Sequence, residues 1–195
     1  VKNAAFGEGI LVDFGDDPWE LLEAVPNYRH AVVSFNAAYV GMLRGFADLL
    51  SWSEQPAEAS AARDLADKLA GAVVRQYAGD GRWLISMPDH DEAIGHCLDF
   101  QHVAGEMAED LSPTIKAEMI EFVTTKLLDG DWMVALEPDD PIAPCSDRPD
   151  HGASGAFAAW PADTADGLIR LGERAKAIEF LGGLHRSTSG ALFGQ

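Results

Sequence analysis

Cysteine is nearly absent from this chain of 195 residues, which contains only Cys97 and Cys145. The two cysteines are far apart and neither belongs to a Cys-X-X-Cys pair. The sequence therefore supports neither a disulfide scaffold nor a cysteine-type zinc site. This favours reduced thiols and a cytoplasmic location.

Basic residues are also scarce, since 14 Lys plus Arg against 32 Asp plus Glu give a formal net charge of -18. A field of that sign repels phosphate backbones and anionic membrane surfaces. No apolar run approaches the roughly 18 residues that cross a bilayer, and the start, VKNAAFGEG, lacks a signal-peptide core. We expect no nucleic-acid partner and no membrane partner. The 47% hydrophobic content predicts one globular domain over 1–195.

Hydrophobic periodicity predicts a mostly helical chain. Apolar residues at three- and four-residue steps predict a helix over 32–52 with a wide apolar face, and a helix over 57–77 with a narrower one. The same order of helix, short turn, helix and long loop recurs twice, with helices at 99–109, 112–128, 160–171 and 174–183. We expect the first helix of each pair to line the inside of the molecule. The segment WLISM, 83–87, is predicted to be extended.

Five segments carry a resemblance to a known family. They are GILVDFGDDPWELLEAVP, SFNAAYVGMLRGFADLL, HCLDFQHVAGEMAEDL, SDRPDHGASGAFAAWPADTADGLIRLG and STSGALFGQ. Together they resemble the later part of six-hairpin (α/α)6-toroid glycosidases, such as the trehalases and the oligosaccharide glucosidases. The resemblance implies an all-α toroid of helical hairpins and an oligosaccharide substrate.

The resemblance also implies more protein than this chain supplies. A six-hairpin toroid needs six pairs of helices, whereas this sequence provides about three. We therefore expect the inner surface of a partial toroid to be covered. The cover is either the missing half of a longer chain, of which 1–195 is the C-terminal part, or a second copy.

Carboxylates are the groups that glycoside hydrolysis requires. One carboxylic acid protonates the leaving oxygen and one carboxylate activates water, about 6.5 to 9.5 Å apart for the inverting outcome that the resemblance implies. The resemblance places the acid near the start of this chain, so Glu8 and Asp13 are predicted to be catalytic, as is Asp150. Asp16 is either a further candidate or a helix cap.

The final loop departs from the resembled enzymes. Those enzymes commonly carry the base, a glutamate, in their last rim loop, whereas STSGALFGQ contains no carboxylate. This departure favours an alternative function, a non-catalytic carbohydrate-binding or scaffold protein on the same frame. A helical-repeat interaction module is a third class, but such modules keep their connections short.

The loop SDRPDHG and the aromatic residues after it predict a sugar-binding surface. Asp147, Arg148 and His151 have the groups that form paired hydrogen bonds to hydroxyls. Phe157 and Trp160 offer aromatic faces to the C-H groups of a sugar ring. The alternative is a self-contained loop held by its own salt bridges.

Two further clusters are less specific. Asp99 and His102 lie three residues apart on one helical face, where they bind either a sugar hydroxyl or each other. The segment PDHDEAIGH, 88–96, contains metal-ligand residue types, but its spacing matches no strong site and favours a solvated acidic loop. We expect no metal and no cofactor.

Overall fold

The computed structural model describes residues 2–3, 9–16, 28–141, 143 and 160–189. Six α-helices dominate these ranges, which confirms the predicted helical class. They are α1 (Val33–Trp52), α2 (Pro56–Val74), α3 (Cys97–Met107), α4 (Pro113–Phe122), α5 (Trp160–Arg170) and α6 (Arg174–Thr188).

Short antiparallel strands occupy parts of the connections. Strand β1 (Lys2–Asn3) pairs with β2 (Val12–Asp13). A three-stranded sheet has the order β3 (Tyr77–Gly79), β4 (Arg82–Ser86) and β5 (Asp91–Ile94). Strand β6 (Leu128–Asp129) pairs with β7 (Trp132–Met133). The segment predicted to be extended is thus largely the central strand of the three-stranded sheet.

Two predicted helices differ from the structure near their C-terminal ends. The second was predicted to reach residue 77, but α2 ends at Val74 and Tyr77 starts β3. The Tyr77 ring packs 5.0 Å from the Trp83 ring across the sheet, which favours the extended conformation over another helical turn. The helix predicted over 112–128 becomes a π-helical turn at Val123–Leu127.

Helices α1 and α3 lie side by side and run in the same direction. At their first turns, the Ser34 backbone N donates to Asp99 Oδ1 over 3.0 Å. Further along, Arg44 of α1 donates to the carbonyl oxygen of Glu106 of α3 over 3.1 Å. The first contact joins the N-terminal turns of the two helices, and the second joins residues further along both of them. The two helices therefore begin at the same end of the molecule.

Helix α5 extends the same layer on the other side of α3. Gln101 Nε2 donates to the Trp160 carbonyl oxygen over 3.0 Å and to Thr164 Oγ1 over 2.9 Å. One turn later, Gly167 lies directly against Phe100 and Ala104. Helices α1, α3 and α5 therefore form a parallel layer, with α2 packed on α1 and α6 packed on α5.

The glycine of this layer provides a stability prediction. A Cβ at Gly167 would lie 2.8 Å from Phe100 Cε1 and 3.1 Å from Ala104 Cβ, so α3 and α5 must separate to admit it. Overpacking outweighs the helix propensity of alanine, and we expect Gly167→Ala to lower the free energy of unfolding by about 1 kcal/mol. The measurement is urea denaturation.

Gly105 is the matched control, because it lies in α3 and has open space at the position that a methyl group would occupy. Gly105→Ala should raise the free energy of unfolding by about 1 kcal/mol. Equal effects of the two substitutions would contradict the close packing of α3 on α5.

One apolar face of α1 is exposed. Met42, Phe46 and Leu49 are 59%, 52% and 56% exposed, and Trp52 lies further along the same helix. The opposite side of α1 packs on α2 and α3. That α1 lines the inside of a larger toroid stays a prediction. That further protein covers the exposed face stays a prediction.

Candidate functional site

The segments that precede the helices meet at the N-terminal ends of α1, α3 and α5. Asn36 of α1 fastens β2 there, since its Oδ1 accepts from the Val12 backbone N over 2.8 Å and its Nδ2 donates to the Val12 carbonyl. Beside α3, the Cys97 backbone N donates to the Ala135 carbonyl over 2.8 Å. The polar and aromatic residues gathered here are called the helix-start site: Asp13, Tyr28, His30, Ser34, His96, Asp99, His102 and Trp160.

The Asp13 side chain lies at the partly exposed side of the helix-start site. Its Oδ1 is 3.1 Å from His30 Nδ1, and the carboxylate side chain is 22% exposed. His30 has a left-handed backbone conformation with φ of 58°, and its backbone N donates to the Gly15 carbonyl over 2.7 Å. A side chain at positive φ stores strain, which is typical of functional positions. Asp16 lies near the opposite ring nitrogen, 3.4 Å from His30 Nε2.

A buried chain of hydrogen bonds runs inward from Tyr28. The Ser34 hydroxyl donates to Tyr28 Oη, and Tyr28 Oη donates to Asp99 Oδ1 over 2.6 Å. Asp99 also accepts from the Ser34 backbone N, at the first turn of α1. Since the N-cap residue Val32 has no polar side chain, Asp99 of α3 satisfies a backbone donor that α1 cannot satisfy itself.

Burial changes the charge of the Asp99 carboxyl group. The side chain is 2% exposed, and desolvation raises its pKa to about 7 despite the two hydrogen bonds that favour the carboxylate. Its second oxygen, Oδ2, is buried and has no hydrogen-bond partner in the described ranges. Asp99 is therefore a carboxyl group that exchanges a proton near neutral pH and retains one unused polar atom.

The ring of His96 has a defined protonation state. His96 caps α3, and its Nδ1 accepts from the Leu98 backbone N over 3.1 Å, so Nδ1 carries no proton. Burial lowers the pKa of His96 to about 3, so the ring is neutral at pH 7 and carries its proton on Nε2. This N-H is buried without an acceptor among the described residues.

Aromatic rings flank His96 on two sides. The centroid of the Tyr28 ring is 5.4 Å away and that of the Trp160 ring 5.7 Å away, the latter at 85°. The Trp160 side chain is only 7% exposed. It therefore lies inside the helix-start site, whereas its predicted role in sugar stacking assumed a position at the mouth.

His102 and Asp99 share a hydrogen-bonding neighbour, Ser34. His102 Nδ1 donates to the Ser34 carbonyl oxygen over 3.0 Å, while Asp99 accepts from the Ser34 backbone N. The two predicted binding residues are thus brought to the same turn of α1. Their polar groups also hold that turn in place.

Other predicted site residues lie outside the described part of the chain: Glu8, Asp147, Arg148, Asp150, His151 and Phe157.

The sequence pattern did not predict a role for His96, because the whole segment 88–96 was interpreted as a solvated loop. That interpretation fits Asp89 and Asp91, which are exposed, but is wrong for His96, which is 1% exposed. Histidine is not among the residue types preferred at helix N-caps, so local pattern did not indicate that His96 caps α3.

An open cleft lies elsewhere in the described structure. It has a volume of about 480 Å³ and lies between the turn after β3 and helix α4, lined by residues that include Arg82, Glu118, Phe122 and Lys126. Arg82 in this cleft forms a paired hydrogen bond with Glu137. The cations of this cleft, Arg82 and Lys126, are thus already paired with carboxylates. None of the lining residues has a buried polar atom without a hydrogen-bond partner in the described ranges, whereas Asp99 does.

Comparison with known proteins gives no family assignment. No protein-family model matches the chain, and no curated protein matches it.

In the described ranges, no three His, Cys, Asp or Glu side chains are grouped so that they could hold a metal ion. None of the described helices is both long and apolar enough to cross a membrane.

Proposed function

We propose that this protein binds carbohydrate at the helix-start site and hydrolyses glycosidic bonds there. The observation that carries the proposal is the meeting of three parallel helix N-termini with carboxyl, imidazole and aromatic side chains. The hairpin order of the helices and the parallel layer of α1, α3 and α5 also support a frame of the toroid-glycosidase kind. Fold alone does not assign an activity, so the argument depends on the site.

The chemistry of the site suits a sugar. Hydroxyl groups both donate and accept hydrogen bonds, and carboxylates and imidazoles complement both roles. Asp13 is the described member of the predicted catalytic set, and His30 holds its carboxylate in one orientation. Asp99, with a pKa of about 7, has the protonation behaviour of a general acid at neutral pH.

The test uses the whole chain and a panel of trehalose, maltotriose, isomaltotriose and cellotriose. Binding is measured by calorimetry and hydrolysis by release of reducing sugar. We expect at least one member to bind and be cleaved. In Asp13→Asn the isosteric amide removes the carboxylate, and we expect turnover to fall about 100-fold while affinity changes by less than about threefold.

Asp64→Asn is the matched control, because Asp64 is an exposed carboxylate on α2. It should bind and cleave like the wild type. Binding of a sugar without cleavage by the wild type would favour the non-catalytic carbohydrate-binding alternative. Absence of binding across the panel would contradict both functions.

A further inference from the structure

Four large apolar side chains form an exposed stripe on α1. Met42, Phe46 and Leu49 are 59%, 52% and 56% exposed, and Trp52 is 80% exposed. Their spacing of three or four residues places them on one side of the helix, together with Gly45. These five residues are called the α1 stripe. A contiguous apolar surface of this kind is typical of a contact with another protein.

The α1 stripe carries no charge, although the chain has a net charge of -18. The charged residues of α1 are Arg44 and Asp48. Arg44 pairs with Asp110 over 2.8 Å, and Asp48 pairs with Arg63 over 2.9 Å. The excess of negative charge opposes contact between two copies over acidic surface. At the stripe this repulsion is weakest, and a basic partner finds no opposite charge there, so the charge pattern favours a second copy of this chain.

Gly45 gives the stripe a shape that a second copy complements. A Cβ placed at Gly45 meets no other atom within 4 Å, so the middle of the stripe is open. When two copies of α1 pack antiparallel about a two-fold axis, Leu49 of each copy lies opposite Gly45 of the other. In the same register Trp52 lies opposite Met42. The same surface then serves both partners, with a large side chain opposite a gap, as in a closed two-fold contact.

The size of the stripe also fits a two-fold contact. Large side chains such as Phe and Trp have about 150 to 250 Å² of surface, so the exposed fractions correspond to roughly 500 Å² per copy. A stable interface buries about 600 to 1,000 Å² per partner. The stripe therefore supplies most of the smallest interface of this kind, and residues beside it supply the rest.

We propose that the α1 stripe binds the same stripe of a second copy, so that two chains form a dimer through antiparallel α1 helices. This inference does not depend on the proposed function. Met42, the first residue of the stripe, lies two helical turns beyond Ser34 of the helix-start site, about 12 Å along α1. The contact is therefore separate from the helix-start site.

Leu49→Glu tests the surface, and Ile178→Glu is the matched control. Ile178 is a 60% exposed aliphatic side chain on α6, so both variants place a glutamate at an exposed aliphatic position. Sedimentation equilibrium at micromolar concentrations measures the dissociation constant. We expect dimers of the wild type and of Ile178→Glu. Leu49→Glu should raise the dissociation constant at least about 100-fold, because each copy would bury a carboxylate without a partner.

Gly45→Leu distinguishes a shaped contact from general adhesion of apolar surface. Within one chain the new side chain has open space, so the variant should fold like the wild type. If Leu49 of the second copy fills the space at Gly45, the substitution should raise the dissociation constant about 10- to 100-fold through overpacking. Tighter association of Gly45→Leu, driven by its extra apolar area, would overturn the proposal.

The remaining outcomes are also decisive. A wild type that stays monomeric over the whole range, or a dimer that Leu49→Glu leaves intact, overturns the proposal, because the stripe is then not the contact between copies. Circular dichroism checks that each variant is folded, and if Leu49→Glu does not fold, Gly45→Leu decides alone. None of these variants alters the helix-start site, so the sugar panel tests the proposed function separately.

Discussion

Relative to the wild type, the free energy of unfolding of Asp99→Asn is expected to rise with pH between about pH 4 and pH 6.5. The exposed control variant, Asp64→Asn, should show no such rise. Burial raises the pKa of Asp99 from 3.8 to about 7, so the folded protein holds this proton more tightly than the unfolded chain does. The stabilisation from Asp99 is therefore present below about pH 4 and is lost as the pH rises to about 7.

The opposite dependence is expected of His96. Burial lowers its pKa from 6.5 to about 3, so its stabilisation is present above about pH 6.5 and is lost as the pH falls toward 3. In the wild type the two contributions oppose each other between about pH 4 and pH 6.5. Each single substitution removes one of them and leaves the other.

The measurement is urea denaturation of three variants at several pH values. Relative to the wild type, the free energy of unfolding of Asp99→Asn should rise by about 3 kcal/mol from about pH 4 to pH 6.5. That of His96→Asn should fall by about 3 kcal/mol over the same range. Asp64→Asn should stay at a constant offset. Parallel curves for all variants would contradict both the raised pKa of Asp99 and the lowered pKa of His96.

Removing the Arg82 guanidinium is expected to destabilise the protein by about 3 kcal/mol. Arg82 forms two hydrogen bonds to Glu137, whose side chain is only 4% exposed. In Arg82→Met the carboxylate stays buried and, of its ion-pair partners in the described ranges, retains Lys126, whose Nζ lies 3.4 Å from Oε1. An uncompensated buried charge costs more than the lost attraction alone, because the desolvation of the carboxylate is no longer offset.

Two comparison variants make this prediction specific. Arg63→Met removes an exposed partner of Asp48 and should cost less than about 1 kcal/mol. The double variant Arg82→Met with Glu137→Met removes both charges and should return to within about 1 kcal/mol of the wild type. If the double variant is as unstable as Arg82→Met, the cost arises from lost packing over Phe122 and not from the unpaired carboxylate.

Local pattern was sufficient to predict most of the helices. Ser112-Pro113 predicted the start of α4, and Trp160-Pro161 the start of α5, because caps and proline act within a few residues. The C-terminal bounds were less accurate. Whether the chain stays helical at Tyr77 depends on Trp83 in the neighbouring strand, a contact that no helical period contains.

The candidate site was predicted only in part. Asp13, Asp99, His102 and Trp160 were selected for their chemistry, and all four belong to the helix-start site. The sequence did not indicate that Asp99 caps another helix, nor that His96 lies between two rings. Both facts depend on residues that are distant along the chain, such as Tyr28 and Asp99, which are 71 positions apart.

The amino-acid sequence by itself determined the acidic charge, the helical class and the alternation of short turns with long connections. These properties follow from composition and from periodicities a few residues long. Only the tertiary structure decided that the N-termini of α1, α3 and α5 meet, and that the apolar stripe at Met42, Phe46 and Leu49 is exposed. It also decided the protonation of Asp99 and His96, because a pKa is set by the desolvation and hydrogen bonds that distant segments impose.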